Sequence, residues 1–330
     1  MNHPKPLNSD YRGRFAPSPT GELHWGSLFN ALASFLQARS QQGEWLLRID
    51  DLDPMRCQQQ STDAILFALD RFGLHWDGAI HYQSQHTKSY QAALANLQYN
   101  NHVYPCCCSR RQLKRYHKEH PETPDYPGLC RHKTIDISKQ HALRIKTKNL
   151  PIELNDPLQG KHQQILSNTC GDFIVRRSDS ITAYHLASVV DDYYLGITQA
   201  LRGNDLLQST IQQHYLQQLL EYPIPQYVHL PVIVDDSGTK LSKQTGAAAI
   251  THYPPSKTLY LLLLQLKQNP PKNLHYESLD TLLTWAINNW SINHLKSCSQ
   301  IHLSNTTGMS TLFQTQSNTA FAELNDSGRL

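Results

Sequence analysis

The stretch Arg12-Gly13-Arg14-Phe15-Ala16-Pro17-Ser18-Pro19-Thr20-Gly21-Glu22-Leu23-His24-Trp25-Gly26-Ser27 leaves the chain little choice of local structure. Arg12 to Ala16 reads as a short strand, and the two prolines with Gly21 as a rigid turn. From Trp25 the apolar positions Leu28, Leu32, Phe35 and Leu36 recur at helical spacing. Strand, loop and helix in that order aim unpaired backbone N–H groups and the positive end of a helix dipole above a sheet, where a phosphate is the natural occupant. His24 stands at the helix mouth, and Gly26 lets a flat ligand lie against the backbone. His-x-Gly alone is expected about once by chance in a chain with 18 His and 15 Gly, so it needs a partner elsewhere.

The rest of the chain predicts an α/β protein with a doubly wound parallel sheet of the Rossmann type. Trp45 to Ile49 is a buried-type strand ending in Asp50-Asp51-Leu52-Asp53, and Ser61–Phe72 and Tyr90–Leu97 are amphipathic helices. The pattern breaks near 105 and resumes near 171. Asp172 to Arg177 is then a strand, Ala183 to Val190 a helix followed by Asp191-Asp192, Gly196 to Leu201 a strand, and Arg202 to Asp205 a turn. A helix to Leu220 and a strand from Tyr227 to Val234 follow. The predicted division is a 1–10 extension, a catalytic domain over 11–104 and 171–250, an inserted basic subdomain over 105–170, a short helical region over 251–296 and a disordered tail over 297–330. In that tail fourteen of 34 residues are Ser, Thr or Asn, without apolar period.

Charge separates the insertion from the remainder. Between Cys106 and Lys148 eleven Lys and Arg face four Asp and Glu, a local +7 in a chain of net +3. Such a field suits nucleic acid. No apolar run approaches membrane length and residues 1–10 show no secretory pattern, so a cytoplasmic protein with no membrane contact is expected. Seven cysteines in a reducing compartment argue for metal ligands or spectators rather than a disulfide framework. Cys106-x-Cys108 with Cys130 offers three thiolates suited to Zn²⁺, and ordinary statistics offer His117, His120 or His132 as the fourth ligand.

The partner that His-x-Gly requires is Lys240-Leu241-Ser242-Lys243-Gln244, after the turn Asp235-Asp236-Ser237-Gly238. Lys-x-Ser-Lys has a chance expectation of about 0.05 in such a chain. Its flexible ammonium groups suit a polyphosphate whose charge shifts as a bond breaks. With the Pro-Ser-Pro-Thr-Gly turn, His24-Trp25-Gly26-Ser27 and the Arg48-Ile49-Asp50-Asp51-Leu52-Asp53 strand end, it makes the chain resemble class I glutamyl-tRNA synthetases over residues 11 to 250, fading towards Lys296. That family carries a large C-terminal anticodon-reading domain, which is missing after the second motif here. The resemblance is therefore strongest to the shortened paralogue family, the glutamyl-queuosine tRNA(Asp) synthetases.

The resemblance implies ATP-dependent, tRNA-independent activation of L-glutamate and its transfer to queuosine in the anticodon stem-loop of tRNA(Asp), by a monomer. It implies that Arg14, Phe15, Ala16, Pro17 and Ser18 hold glutamate, with Tyr184 and Arg202 completing the pocket. Asp50 stands where the family usually has glutamate, a carboxylate expected to bind the substrate amino group, and is one methylene shorter. His24, Trp25, Gly26, Ser27 and Lys240 to Gln244 would bind ATP with Mg²⁺, and His24, Gly26, Lys240 and Lys243 would be catalytic. For one structural zinc it points to Tyr126 beside Cys106, Cys108 and Cys130. Read without the resemblance, Arg12, Arg14 and Arg48 could pair with Asp50, Asp51 or Asp53, and Tyr184 could cap a packed helix. A truncated synthetase charging the 3′ end of tRNA(Glu), and a non-catalytic tRNA-binding relic, are the competing functional readings.

Overall fold

The structure is a computed structural model that describes residues 10–235, 237–240, 250 and 253–302. Its first part runs β1 (Arg12–Phe15), α1 (Trp25–Ser40), β2 (Glu44–Ile49), α2 (Gln59–Arg71), β3 (His81–Tyr82) and α3 (Thr87–Tyr99). β1 pairs in parallel with β2, Arg12 opposite Glu44 and Phe15 opposite Leu47, and β2 pairs in parallel with β3. After an intervening segment, α5 (Tyr184–Tyr194), β9 (Gln199–Gly203), α6 (Leu207–Leu220) and β10 (Gln226–Leu230) complete the wind, with β9 and β10 parallel. The Thr198 N–H donates to the Arg12 carbonyl at 2.9 Å, so β9 lies beside β1 and the order of strands reverses between them. Ligands collect at that reversal, above the carboxyl ends of the strands.

Helix α1 covers one face because Leu28, Leu32, Phe35 and Leu36 are buried, as their spacing requires. It packs with α7 (Pro255–Gln265) and α8 (Leu279–Asn289), which share its apolar core. The opposite face is closed by α3, α5 and α6 through Tyr90, Leu97, Val190 and Leu216. No described helix is long and apolar enough to cross a membrane.

The segment between the halves begins with β4 (Val103–Cys106) and α4 (Arg110–Glu119). β4, β5 (Ala142–Ile145) and β8 (Ile174–Arg176) make an antiparallel sheet of three strands. The hairpin of β6 (Pro151–Asp156) and β7 (Gly160–Ile165) turns back onto α6 and β10, and Leu158 at its tip joins the α1 core.

Three expectations need correction. The strand expected at Gly196 to Leu201 is shifted, so Arg202 and Gly203, expected in a turn, end β9. A charged residue looked like a strand end, yet the Arg202 guanidinium is buried over the Tyr227 ring at 4.5 Å. The strand expected from Tyr227 to Val234 is broken at Pro231, which has no N–H for a ladder, and resumes as β11 (Val232–Val234). The structureless tail does not begin at 297: β12 (Gln300–His302) pairs in parallel with β11, the Ser297 N–H donates to Leu158 at 2.7 Å, and Ile301 is buried. Three residues are too few for a period to show. Residues 1–9 of the expected 1–10 extension, and residues 303–330, lie outside the described residues.

Candidate active site and metal centre

At the reversal point a cavity of about 410 Å³ is lined by Arg14 and the Phe15–Ser18 segment from β1, by His24, Ser27 and Asn30 from α1, by Tyr184, and by Arg202 and Lys240. His24 is the N-cap of α1: its Nδ1 accepts from the Ser27 N–H at 3.4 Å while Nε2 meets Ser27 Oγ at 2.9 Å. Accepting at Nδ1 leaves the proton of the neutral ring on Nε2, so Nε2 donates to the hydroxyl. Imidazole and helix mouth therefore form one unit. The Trp25 side chain is turned into the core, where Nε1 donates to Gln265 Oε1 at 2.7 Å, leaving only its backbone for a ligand. Gly26 opens the helix beside it.

Below the cavity floor lies a buried charge network. Arg14 forks onto Asp192, Nε to Oδ1 at 3.1 Å and Nη2 to Oδ2 at 3.2 Å, and its Nη1 reaches the Leu201 carbonyl. Arg48 bonds Asp50 Oδ1 at 2.7 Å and Asp192 Oδ1 at 2.7 Å. Asp191 accepts from Gln83 and Tyr90 and meets His86 Nδ1 at 2.9 Å. Arg48 thus does pair with Asp50, whereas Arg14 pairs with Asp192 and Arg12 with Glu44. Burial pushes Asp50 up to about 6, against the pull of Arg48; for Asp192 burial is outweighed by Arg14 and Arg48, and its carboxyl is held below the usual range. Asp191 and Asp192 had gone unassigned, although two carboxylates in an otherwise apolar helix signal buried counter-ions.

Arg202 is held by Gln213 Oε1 at 2.7 Å and by Thr210, whose hydroxyl also meets His229 Nε2; His229 in turn meets Asp156 of the β6–β7 hairpin at 2.7 Å. Arg202 Nε, like Asn30 Oδ1, is buried without a hydrogen-bond partner among the described residues. A cavity-lining guanidinium N–H with nothing to donate to is what an incoming carboxylate satisfies. Lys240 reaches the rim and pairs with Asp205 at 2.6 Å. Leu241, Ser242, Lys243 and Gln244 lie outside the described residues.

The cysteine group sits at the end of β4. The Sγ atoms of Cys106, Cys108 and Cys130 lie within 4.8 Å of one another, Cys108 and Cys130 at 3.4 Å. Tyr126 Oη is 3.2 Å from Cys106 Sγ and 3.8 Å from Cys108 Sγ. Zinc–sulfur bonds of ~2.3 Å in a tetrahedron set sulfurs ~3.8 Å apart, so the donors fit such an ion. Burial would raise the Cys130 thiol, but hydrogen bonds from the Cys107 N–H and its neighbours bring it down to about 7; burial drives Cys108 up to about 12. Arg144 covers the Tyr126 ring at 3.5 Å and donates to Cys106 Sγ. At Gly171, with φ of +66°, a Cβ would collide with the Tyr126 carbonyl, so only glycine lets this loop close. His117 is engaged with the carbonyls of Leu113 and Pro124, and no histidine joins the group among the described residues. Beside it α4, which buries no side chain, is held by a Ser109–Gln112 capping box and shows its basic residues to solvent.

The family described as tRNA synthetases class I (E and Q), catalytic domain, matches residues 10–265. A glutamyl-Q tRNA(Asp) synthetase of Methylococcus capsulatus is 43% identical over 89% of this chain and 96% of its own length. One of Synechococcus sp. is 45% identical over 84% of this chain and 93% of its own. Among solved structures, a glutamate-tRNA synthetase from Elizabethkingia anophelis superposes with a TM-score of 0.77 at 22% identity, covering 93% of this chain and 70% of that one, which is a likeness of fold.

Proposed function

The chain belongs to the class I (E and Q) tRNA synthetases and, within them, to the glutamyl-Q tRNA(Asp) synthetases, and from that membership we propose that it activates L-glutamate with ATP and transfers it to queuosine of tRNA(Asp). The observation that carries the reading is the cavity that Arg14, Ser18, Tyr184 and Arg202 line together beside the mouth of α1, with Arg202 Nε buried and lacking a hydrogen-bond partner among the described residues. Guanidinium groups and hydroxyls take the two carboxylates of glutamate, and ionised Asp50 takes its ammonium.

ATP lies on the α1 side. The helix N-terminus, His24 and the backbone at Gly26 receive its phosphates, while Lys240 and Lys243 supply positive charge. A glutamate carboxylate oxygen attacks the α-phosphorus and pyrophosphate leaves, so the protein contributes positioning and charge rather than a nucleophile. Mg²⁺ accompanies the nucleotide and spreads phosphate charge. Cys106, Cys108, Cys130 and Tyr126 would hold one structural Zn²⁺ that ties the loop of Tyr126 to β4. The basic face of α4 meets phosphates of the anticodon stem-loop. The protein works in the cytoplasm as a monomer.

Glutamate-dependent ATP–pyrophosphate exchange without tRNA is the first test, and labelled glutamate transfer to queuosine-containing tRNA(Asp) the second. Exchange with transfer confined to that tRNA supports the reading. Label on tRNA(Glu) would reassign the chain to 3′-end charging, and absence of exchange under all conditions would make it a relic.

A further inference from the structure

Beyond the glutamate pocket lies a second cavity of about 500 Å³, which shares Ser18 and Tyr184 with the first. Its floor is the acidic strand end after β2, its far wall comes from the Cys-group side through Asp125 and Phe173, and its near wall is the entry of α5. None of the roles given to glutamate or ATP uses Asp53, Arg177 or His185, which line it. Arg177 Nη1 donates to Asp53 at 2.8 Å and Nη2 to Asp179 at 2.7 Å, so a charged, half-exposed pair guards the opening. His185 packs edge-on to Phe173 and Tyr184 with ring centroids 5.7 and 5.5 Å away, and its Nδ1 is buried with no hydrogen-bond partner among the described residues. Burial, with Arg202 nearby, takes His185 down to about 4, so its ring is neutral in the cell and offers one N–H and one lone pair.

We propose that this second cavity is the acceptor-nucleoside site, where Asp53, Arg177 and His185 select a flat base bearing a cationic amine and a diol. The proposal rests on the reading of the chain as a glutamyl-Q synthetase. Ser18 and Tyr184 line both cavities, so a glutamate held by them and activated by ATP from the α1 side would present its acyl carbon to the second cavity. The attacking hydroxyl therefore comes from the other side. Its oxygen bonds to the acyl carbon, the bond from that carbon to the phosphate oxygen breaks, and AMP leaves with the electron pair and takes up the hydroxyl proton. A carboxylate suits the amine of the acceptor, the Phe173 and Tyr184 rings suit its base, and a neutral imidazole suits a diol hydroxyl.

The test uses the full chain with Arg177→Ala and His185→Phe, scored by exchange and by transfer, with free queuosine nucleoside as an inhibitor of transfer. Expected is exchange unchanged, transfer kcat/KM lowered about tenfold or more, and inhibition by the nucleoside weakened in parallel. Unchanged transfer in both variants overturns the proposal, as does a loss of exchange equal to the loss of transfer, which marks a purely structural role. Weaker transfer with undiminished inhibition by the phosphate-free nucleoside also overturns it, assigning Arg177 to the tRNA backbone. Absence of exchange in the unaltered protein is a different result: it defeats the functional reading itself.

Discussion

The charge network under β1 and the cysteine group beyond β4 are both buried polar clusters, and they are stabilised in opposite ways. In the first, Arg14 and Arg48 meet Asp50, Asp191 and Asp192, and each charge finds an opposite one inside the protein. In the second, three thiols and a phenol share weak hydrogen bonds and converge on a point none of them occupies. One cluster is balanced by the chain's own charges; the other gathers donors of the kind that could hold a metal ion. The lesson is that a buried polar cluster can be balanced by opposite charges of the chain itself or by neutral donors gathered around one point.

The strongest way to break the first cluster is Asp192→Ala. Two buried guanidinium groups lose their shared carboxylate, and a loss of about 3–5 kcal/mol is expected in urea unfolding. A loss below about 1 kcal/mol would show that the cluster is not internally balanced. The second cluster is tested by Cys130→Ser, which should lower bound zinc well below one per chain. With metal at about 100 times its dissociation constant, losing it removes about 2.7 kcal/mol from the region it ties, read as faster amide exchange around Tyr126 and α4 with β1 and α1 unaffected. Uniform exchange changes would mean the two clusters are not independent.

A smaller effect separates the carboxylates within the first cluster. Asp192, held low, adds stability above its unfolded value, and this is lost as pH falls through its folded value. Asp50, raised to about 6, does the reverse: the folded chain takes up its proton first, so acid below pH 6 favours the fold at that position. On the binding role proposed for Asp50, acid also removes its contact to the glutamate ammonium. KM for glutamate should rise towards tenfold per pH unit below about 6, about 1.4 kcal/mol. Asp50→Asn should flatten that profile, and an unaltered slope would take Asp50 out of substrate binding.

Legibility followed sequence distance. The strand, turn and helix around His24 could be read directly because periodicity and prolines act within a few residues. The cysteine group was readable as ligand spacing, with Tyr126 and three histidines offered as the fourth donor; the fold sets Tyr126 Oη 3.2 Å from Cys106 Sγ, a closeness no spacing could show. Arg14 could not be matched with Asp192, which lies 178 residues away in sequence and meets it only in the folded chain. Arg202 was misplaced because its burial depends on Thr210, Gln213 and Tyr227, none of them a local neighbour.

The pairing of β12 with β11 also has a bearing on time. Strand 300–302 is made long after strand 232–234, and parallel partners joined by so long a connection form slowly, because a large loop must close first. β11 leads straight into the turn that carries Lys240. During synthesis or refolding, the β1–α1 unit is therefore expected to organise early and the Lys240 arm late. Recovery of ATP binding should trail the burial of Trp45, and simultaneous recovery would refute this order. Competence for nucleotide would then be among the last properties a newborn molecule acquires, a built-in delay between having a fold and being able to spend ATP.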